Sequence, residues 1–174
     1  MAIDPHTHIL PEDFLADLRR GRLGESAKII QEGGQEWMTF RATLFGKERE
    51  FRNKLNEPYY DVGIRLAAMK GMGVERQVLS VSPFMTLYAI DAGLNKEISA
   101  SINDGLSALA KSHPDQFSCM AQVPLQDPEA AAGELERAVN NGHIGVQIAG
   151  NIAGGNLDDP ELDVFWEKAV SLDL

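Results

Sequence analysis

Three things are scarce in this 174-residue chain: positive charge, cysteine and long apolar runs. Lysine and arginine together number 16 against 26 acids, for a net charge of -10. No cluster of bases stands out, and without a positive footprint a nucleic-acid partner is excluded. The same lack removes the polybasic segment of a peripheral membrane protein. No apolar stretch approaches the roughly 20 residues of a membrane span. The opening, Met1-Ala2-Ile3-Asp4-Pro5-His6, has neither a positive n-region nor an apolar h-region, so it does not read as a secretory signal. A single cysteine, Cys119, cannot form an internal disulfide. That usage fits a reducing compartment, and the expected location is the cytoplasm.

What the chain does have is enough apolar residue, 44%, for one sizeable core. Val74 to Val81 is a short apolar, β-branched run between glycines and a proline, which reads as a buried strand. A helix from about Asp91 to Lys111 follows, with Leu94, Ile98, Ile102, Leu106 and Leu109 on one face. His113-Pro114 stops it. Phe117 to Pro124 reads as the next strand. Asp127-Pro128-Glu129 is a helix start, with Asp as N-cap and Pro at the first helical position. That helix runs to about Asn140, and Asn141-Gly142 ends it. Ile144 to Ala149 is a further strand. Asp158-Asp159-Pro160-Glu161 opens a last helix carrying Leu162, Phe165, Trp166, Ala169 and Val170.

Earlier in the chain, Ala2 to His8 fits a first strand. Tyr60 to Met72 fits a helix with Ile64, Ala67, Ala68 and Met72 inward, closed by Gly71 and Gly73. The sum is four β-α units, which implies parallel strands joined by right-handed crossovers. Residues 24–56 break the rhythm. Gly33-Gly34, the alternating stretch Glu36 to Leu44 and Phe45-Gly46-Lys47 suggest small antiparallel hairpins, inserted between the first strand and its helix.

The sharpest local feature is Asp4-Pro5-His6-Thr7-His8. Side chains at i and i+2 of a strand share a face, so His6 and His8 project together at the strand's carboxyl end. Two neutral imidazoles side by side suit zinc. Two unrelated surface or core histidines are the ordinary alternative, and Pro5 argues against a regular ladder between them. His113, at a helix end, and His143, ahead of a strand, fall away from the face where chemistry sits. Ser82, Pro83, Phe84, Asn151 and Asn156 lie in loops after strands and are candidates to line a pocket. Trp37 and Trp166 read as packing. Gly150 to Gly155 is glycine-rich but lacks the Gly-Lys-Ser/Thr of a phosphate loop.

Ile3-Asp4-Pro5-His6-Thr7-His8-Ile9-Leu10-Pro11 resembles the opening of the amidohydrolase-2 family. Ala121-Gln122-Val123-Pro124-Leu125-Gln126-Asp127 and Gly142-His143-Ile144-Gly145-Val146-Gln147-Ile148 are similar to segments of its aminocarboxymuconate-semialdehyde decarboxylase group. Asn156-Leu157-Asp158-Asp159 extends the likeness, and so does the hairpin insertion ending in Phe51-Arg52.

The resemblance implies a TIM (β/α)8 barrel, of which this chain is the N-terminal (βα)4 half with a small antiparallel β insertion after strand 1. It implies zinc held by His6 and His8, and substrate carboxylate bound by Arg52, where a guanidinium fork suits the chemistry. A solvated surface charge is the plainer reading of Arg52. A third histidine, an aspartate and an acid/base histidine fall beyond Leu174 in the family's order. The implied activity is decarboxylation, or hydrolysis or hydration, of a small carboxylated substrate by zinc-activated water. Half a barrel also leaves two open strand edges, which points to a homo-oligomer. The contrasting expectation is a non-catalytic fragment or pseudoenzyme that needs a partner chain to complete the barrel.

Overall fold

The computed structural model describes residues 2–44 and 47–174. The first strand, β1 (Ile3–His8), leads into a short helix, α1 (Glu12–Arg19). Three antiparallel strands follow: β2 (Ala27–Glu32), β3 (Gln35–Leu44) and β4 (Lys47–Lys54). Then come α2 (Val62–Met72), β5 (Arg76–Ser80), α3 (Ala92–Ser112), β6 (Phe117–Cys119), α4 (Pro128–Asn140) and α5 (Asp163–Ser171).

The two sheets differ in kind. Strands β1, β5 and β6 pair in parallel, in that order, with helices in the connections. Strands β2, β3 and β4 form an antiparallel meander within residues 24–56. Gly33 and Gly34 both have positive φ, 60° and 76°, which a two-residue hairpin turn demands and glycine supplies without strain. The turn expected at Phe45-Gly46 lies outside the described residues.

Helix starts follow the chemistry of their caps. The side chains of Asp61, Asp91 and Asp127 accept from the backbone N–H of Ile64, Leu94 and Ala130, three residues on in each case. Gly73 ends α2 in the left-handed conformation (φ 70°), so Gly71 is an ordinary helical residue.

The apolar stripe of α3 is buried as its spacing predicts. Ile98, Ile102 and Leu106 are fully covered, and Leu94 and Leu109 pack beside them against Leu79, Phe117 and Cys119. The adjoining stripe is polar and also buried: Asn95, Ser99, Asn103 and Ser107. Asn103 donates to the Gln122 carbonyl and to the Glu134 carboxylate, and accepts from the Gln122 N–H. Asn95 donates to the Thr86 carbonyl and to Gln126. One face of α3 therefore packs the sheet, and the next ties down the loops after β5 and β6.

Several expectations are corrected. Helix α2 turns Val62, Leu66 and Met69 inward, while Ile64 and Met72 are 39% and 66% exposed and Ala67 and Ala68 face out. The helix is apolar on nearly every side, so periodicity alone could not choose the buried face. Val170 is likewise outside the apolar stripe of α5. Beyond Cys119 the expected strand to Pro124 is reduced to one bridge, Ala121–Val146, and Ile144 to Ala149 contributes only that bridge. Among the described residues this segment bonds along one side, through Ile144 to Cys119 and through Gly145 and Gln147 to Ala121. Helix α1 was not foreseen, because two turns show the apolar repeat of Phe14, Leu15 and Leu18 only once. Arg19 on α1 grips Glu36 with two nitrogens, at 3.0 and 2.8 Å, and so fixes the helix to β3.

Gly105 lets α3 approach the loop after β1. A Cβ at this position would stand 2.3 Å from Pro11 Cβ and 2.9 Å from its Cγ. In an open helix Gly→Ala gains about 1 kcal/mol, but overpacking costs about 1–3 kcal/mol, and a proline ring cannot yield. Gly105→Ala is therefore expected to lower the melting midpoint, and a rise on thermal unfolding would contradict the packing described.

Candidate functional site

The site is built at the carboxyl end of β1. Its register against β5 slips by one residue: Asp4 faces Gln77, but Thr7 faces Leu79. The extra residue falls at Pro5-His6, where proline cannot donate to the ladder. Past this bulge His6 and His8 stand on one side, their rings edge to face with centroids 4.8 Å apart. His6 is exposed and His8 half-buried.

Ser80, at the end of β5, orients His8. Its hydroxyl lies 3.3 Å from the Thr7 carbonyl and 3.2 Å from His8 Nδ1. The carbonyl can only accept, so the hydroxyl donates to it and receives the Nδ1–H of His8. This leaves Nε2 of His8 with a free lone pair, the tautomer a metal ligand needs. Burial, then the neighbouring His6, holds His8 below its usual 6.5, against a backbone hydrogen bond at Val81; Arg65 adds to the lowering. The ring is therefore neutral at pH 7. The donor chemistry fits a divalent metal as far as it goes, two imidazole nitrogens at a strand end. Among the described residues no group of three or more potential ligands converges.

Two adjoining hollows lie past the ends of β1 and β5, and neither is lined by His6 or His8. The smaller, about 140 Å³, touches Leu10, Ser82, Phe84, Met85, Asn53 and Tyr59 among others. The larger, about 440 Å³, shares Asn53 and Phe84 and extends to Phe40, Phe51, Tyr88 and Asn151. The walls are mostly apolar, and Phe84 is 72% exposed at the rim. Gln122 donates to the Met85 and Thr86 carbonyls, fixing the loop that carries Phe84 and Tyr88. Burial pushes the Tyr88 hydroxyl up to about 12, so it stays protonated.

Of the residues singled out from sequence, Phe84, Ser82 and Asn151 border these hollows. Pro83 does not, and Asn156 lines a separate recess with Gln126 and Asp159. Arg52 forms part of the larger wall. Its strand position, opposite Thr39, puts its side chain on the face away from Phe40 and Phe51. There the guanidinium lies 5.2 Å from the Trp37 ring centre and pairs with Glu32. Trp166 donates to the Leu157 carbonyl and packs on Phe165, as a structural residue.

Sequence reasoning missed Ser80, Asn53, Gln77 and Arg65. For the last two a signal existed: an amide inside an apolar strand, and one arginine among the apolar residues of α2.

The other histidines are structural. His113 caps α3 beside Ser112. His143 is 3% exposed; its Nδ1–H donates to the Ala138 carbonyl, while Nε2 is buried with no hydrogen-bond partner among the described residues. Burial chiefly lowers its pKa from 6.5. A proton binds the unfolded ring first, so this residue's contribution is complete above pH 6.5 and declines as pH falls below it. The melting midpoint is expected to drop between pH 7 and 5, and His143→Leu to flatten part of that slope. An unchanged slope in the variant would show that other groups carry it.

A parallel sheet with helical crossovers and an imidazole pair at a strand's carboxyl end defines an α/β protein of the barrel-forming class. The chain belongs to the amidohydrolase-2 family: residues 3–174 match the amidohydrolase family profile. Over 173 residues it is 27% identical to the 2-amino-3-carboxymuconate-6-semialdehyde decarboxylase of Dictyostelium discoideum, covering 99% of this chain and 46% of that protein. It is 33% identical over 117 residues to the gamma-resorcylate decarboxylase of Rhizobium sp. (strain MTP-10005), covering 63% of this chain and 36% of the relative. The 5-carboxyvanillate decarboxylase of Novosphingobium aromaticivorans, solved with manganese and 4-hydroxy-3-methoxy-5-nitrobenzoic acid, shares the fold. Its TM-score is 0.71 at 21% identity, covering 99% of this chain and 48% of that one. The chain thus spans about half the length of the relatives it matches. No helix among the described residues is long and apolar enough to cross a membrane.

Proposed function

We propose that this chain is the N-terminal (βα)4 half of a metal-dependent decarboxylase that acts on a small carboxylated, aromatic or conjugated substrate. The observation that carries the reading is the His6–His8 pair, with His8 kept neutral by burial and contacted by Ser80, in a family whose named relatives are decarboxylases. His6 and His8 would hold the metal. Zinc is the first candidate, and manganese is the ion in a structural neighbour. When bound, such an ion supplies Lewis acidity and lowers the pKa of its water toward 7. The mostly apolar hollow of about 440 Å³, which neither histidine lines, has room for a substituted aromatic ring. Phe84 is placed to stack on that ring. Arg52 binds a carboxylate only by exchanging Glu32 for the substrate, so its role includes a swing from the outer face of β4.

Exposed Ile3, Ile64 and Met72 near β1, and Ile144 and Val170 near the opposite edge, support the reading that further barrel strands or a second copy cover both edges. The other reading, a non-catalytic chain that needs a partner, has in its favour that only two ligands converge among the described residues.

The two readings separate on metal analysis of the purified protein beside a His6→Ala, His8→Ala variant. About one zinc or manganese per chain, abolished in the variant, is the expected result. No metal in either protein would reject the enzyme reading for this chain.

A further inference from the structure

Strand β1 is poorly held by its own sheet. Among the described residues it pairs on one side only, with β5, and its ladder is interrupted at Pro5-His6, between the residues that matter most. Something else must fix the two histidines.

Arg65, on the inward side of α2, reaches this strand. Nη1 donates to Thr7 Oγ1 and to Gln77 Oε1, both at 3.0 Å. Nη2 donates to the His8 carbonyl, and more weakly to the Pro58 carbonyl at 3.4 Å. Gln77, 4% exposed, passes its own amide hydrogen to Asp4 Oδ2 at 3.1 Å. The other Asp4 oxygen accepts the His6 backbone N–H at 3.3 Å. No carboxylate among the described residues stands within ion-pair distance of this guanidinium; its acceptors are neutral. Arginine on the buried side of an apolar helix costs desolvation, and a plain structural role would be met by an aliphatic side chain there. What the guanidinium adds is a planar fork that holds Thr7 and His8, after the bulge, directly and reaches Asp4, before it, through Gln77. Asp4, Thr7 and His8 are all gripped, directly or through Gln77.

We infer that Arg65, acting through Gln77 and Asp4, is the positioning residue that holds the bulged segment Asp4–His8 so that the His6 and His8 rings present their nitrogens to one point. This rests on the reading of that pair as metal ligands. Arg65 itself touches neither metal nor substrate.

The test uses the full chain with labelled histidines, first without metal. Nuclear magnetic resonance reads the His6–His8 ring contact, while the His113 and His143 signals report whether the fold is intact. In Arg65→Lys, which keeps the charge but not the fork, the ring contact is expected to be lost with His143 unmoved. Gln77→Met, a smaller disturbance, is expected to weaken it in the same direction. Zinc titration against a competing chelator should then show affinity reduced about 10–100-fold, as for other groups that orient metal ligands. Should Arg65→Lys unfold the chain, Gln77→Met alone decides. An unchanged ring contact in a folded variant overturns the inference. A ring contact that depends on Arg65, in a wild-type chain that takes up no zinc, instead overturns the metal reading and leaves the positioning role standing.

Discussion

The arrangement depends on a first strand that is bulged and, among the described residues, paired on one side. A regular edge strand keeps its register through its ladder, but here proline and an extra residue interrupt the ladder where the histidines begin. The side chains of Arg65, Gln77, Asp4 and Ser80 replace the missing main-chain bonds. Arg65, Gln77 and Ser80 come from α2 and β5, so these bonds depend on the packing of β5 and α2 against β1.

A second constraint comes from the helix after β5. Helix α3 carries an apolar stripe for the core and, one residue round, a polar stripe that binds the loops after β5 and β6. Buried amides must find partners, and once found these specify one arrangement. Gln122 and Gln126 belong to the same system, holding the loop that presents Phe84 and Tyr88 to the hollow. The hollow and the histidine pair are thus shaped by different networks that meet at the carboxyl ends of the strands, where α/β barrels carry their chemistry.

The antiparallel meander β2–β4 contributes one wall of that hollow through Phe40 and Phe51, and places Arg52 on its other face with Trp37 and Glu32. Strand alternation makes the two assignments inseparable: if Phe51 faces the hollow, the next residue faces away. A carboxylate-binding Arg52 is therefore a residue that changes partners, and its stacking on Trp37 is the contact it would keep or lose in doing so.

By itself the sequence determined the alternation of strands and helices apart from α1 and the last strand, the Asp127 cap, the buried stripe of α3, the hairpin at Gly33-Gly34 and the placing of His6 beside His8. Each is a matter of residues within a few positions of one another, where periodicity and capping chemistry act. Only the tertiary structure decided which side of α2 is buried, that Arg65 lies on it, which tautomer His8 takes, where Arg52 points, and how little of Ile144 to Ala149 is strand. These follow from partners far along the chain: the His8 carbonyl and Arg65 are 57 residues apart, and the His8 ring and Ser80 72. An evenly apolar helix such as α2 carries no local information about its neighbour, and a hydroxyl 72 residues away leaves no trace in the spacing of two histidines.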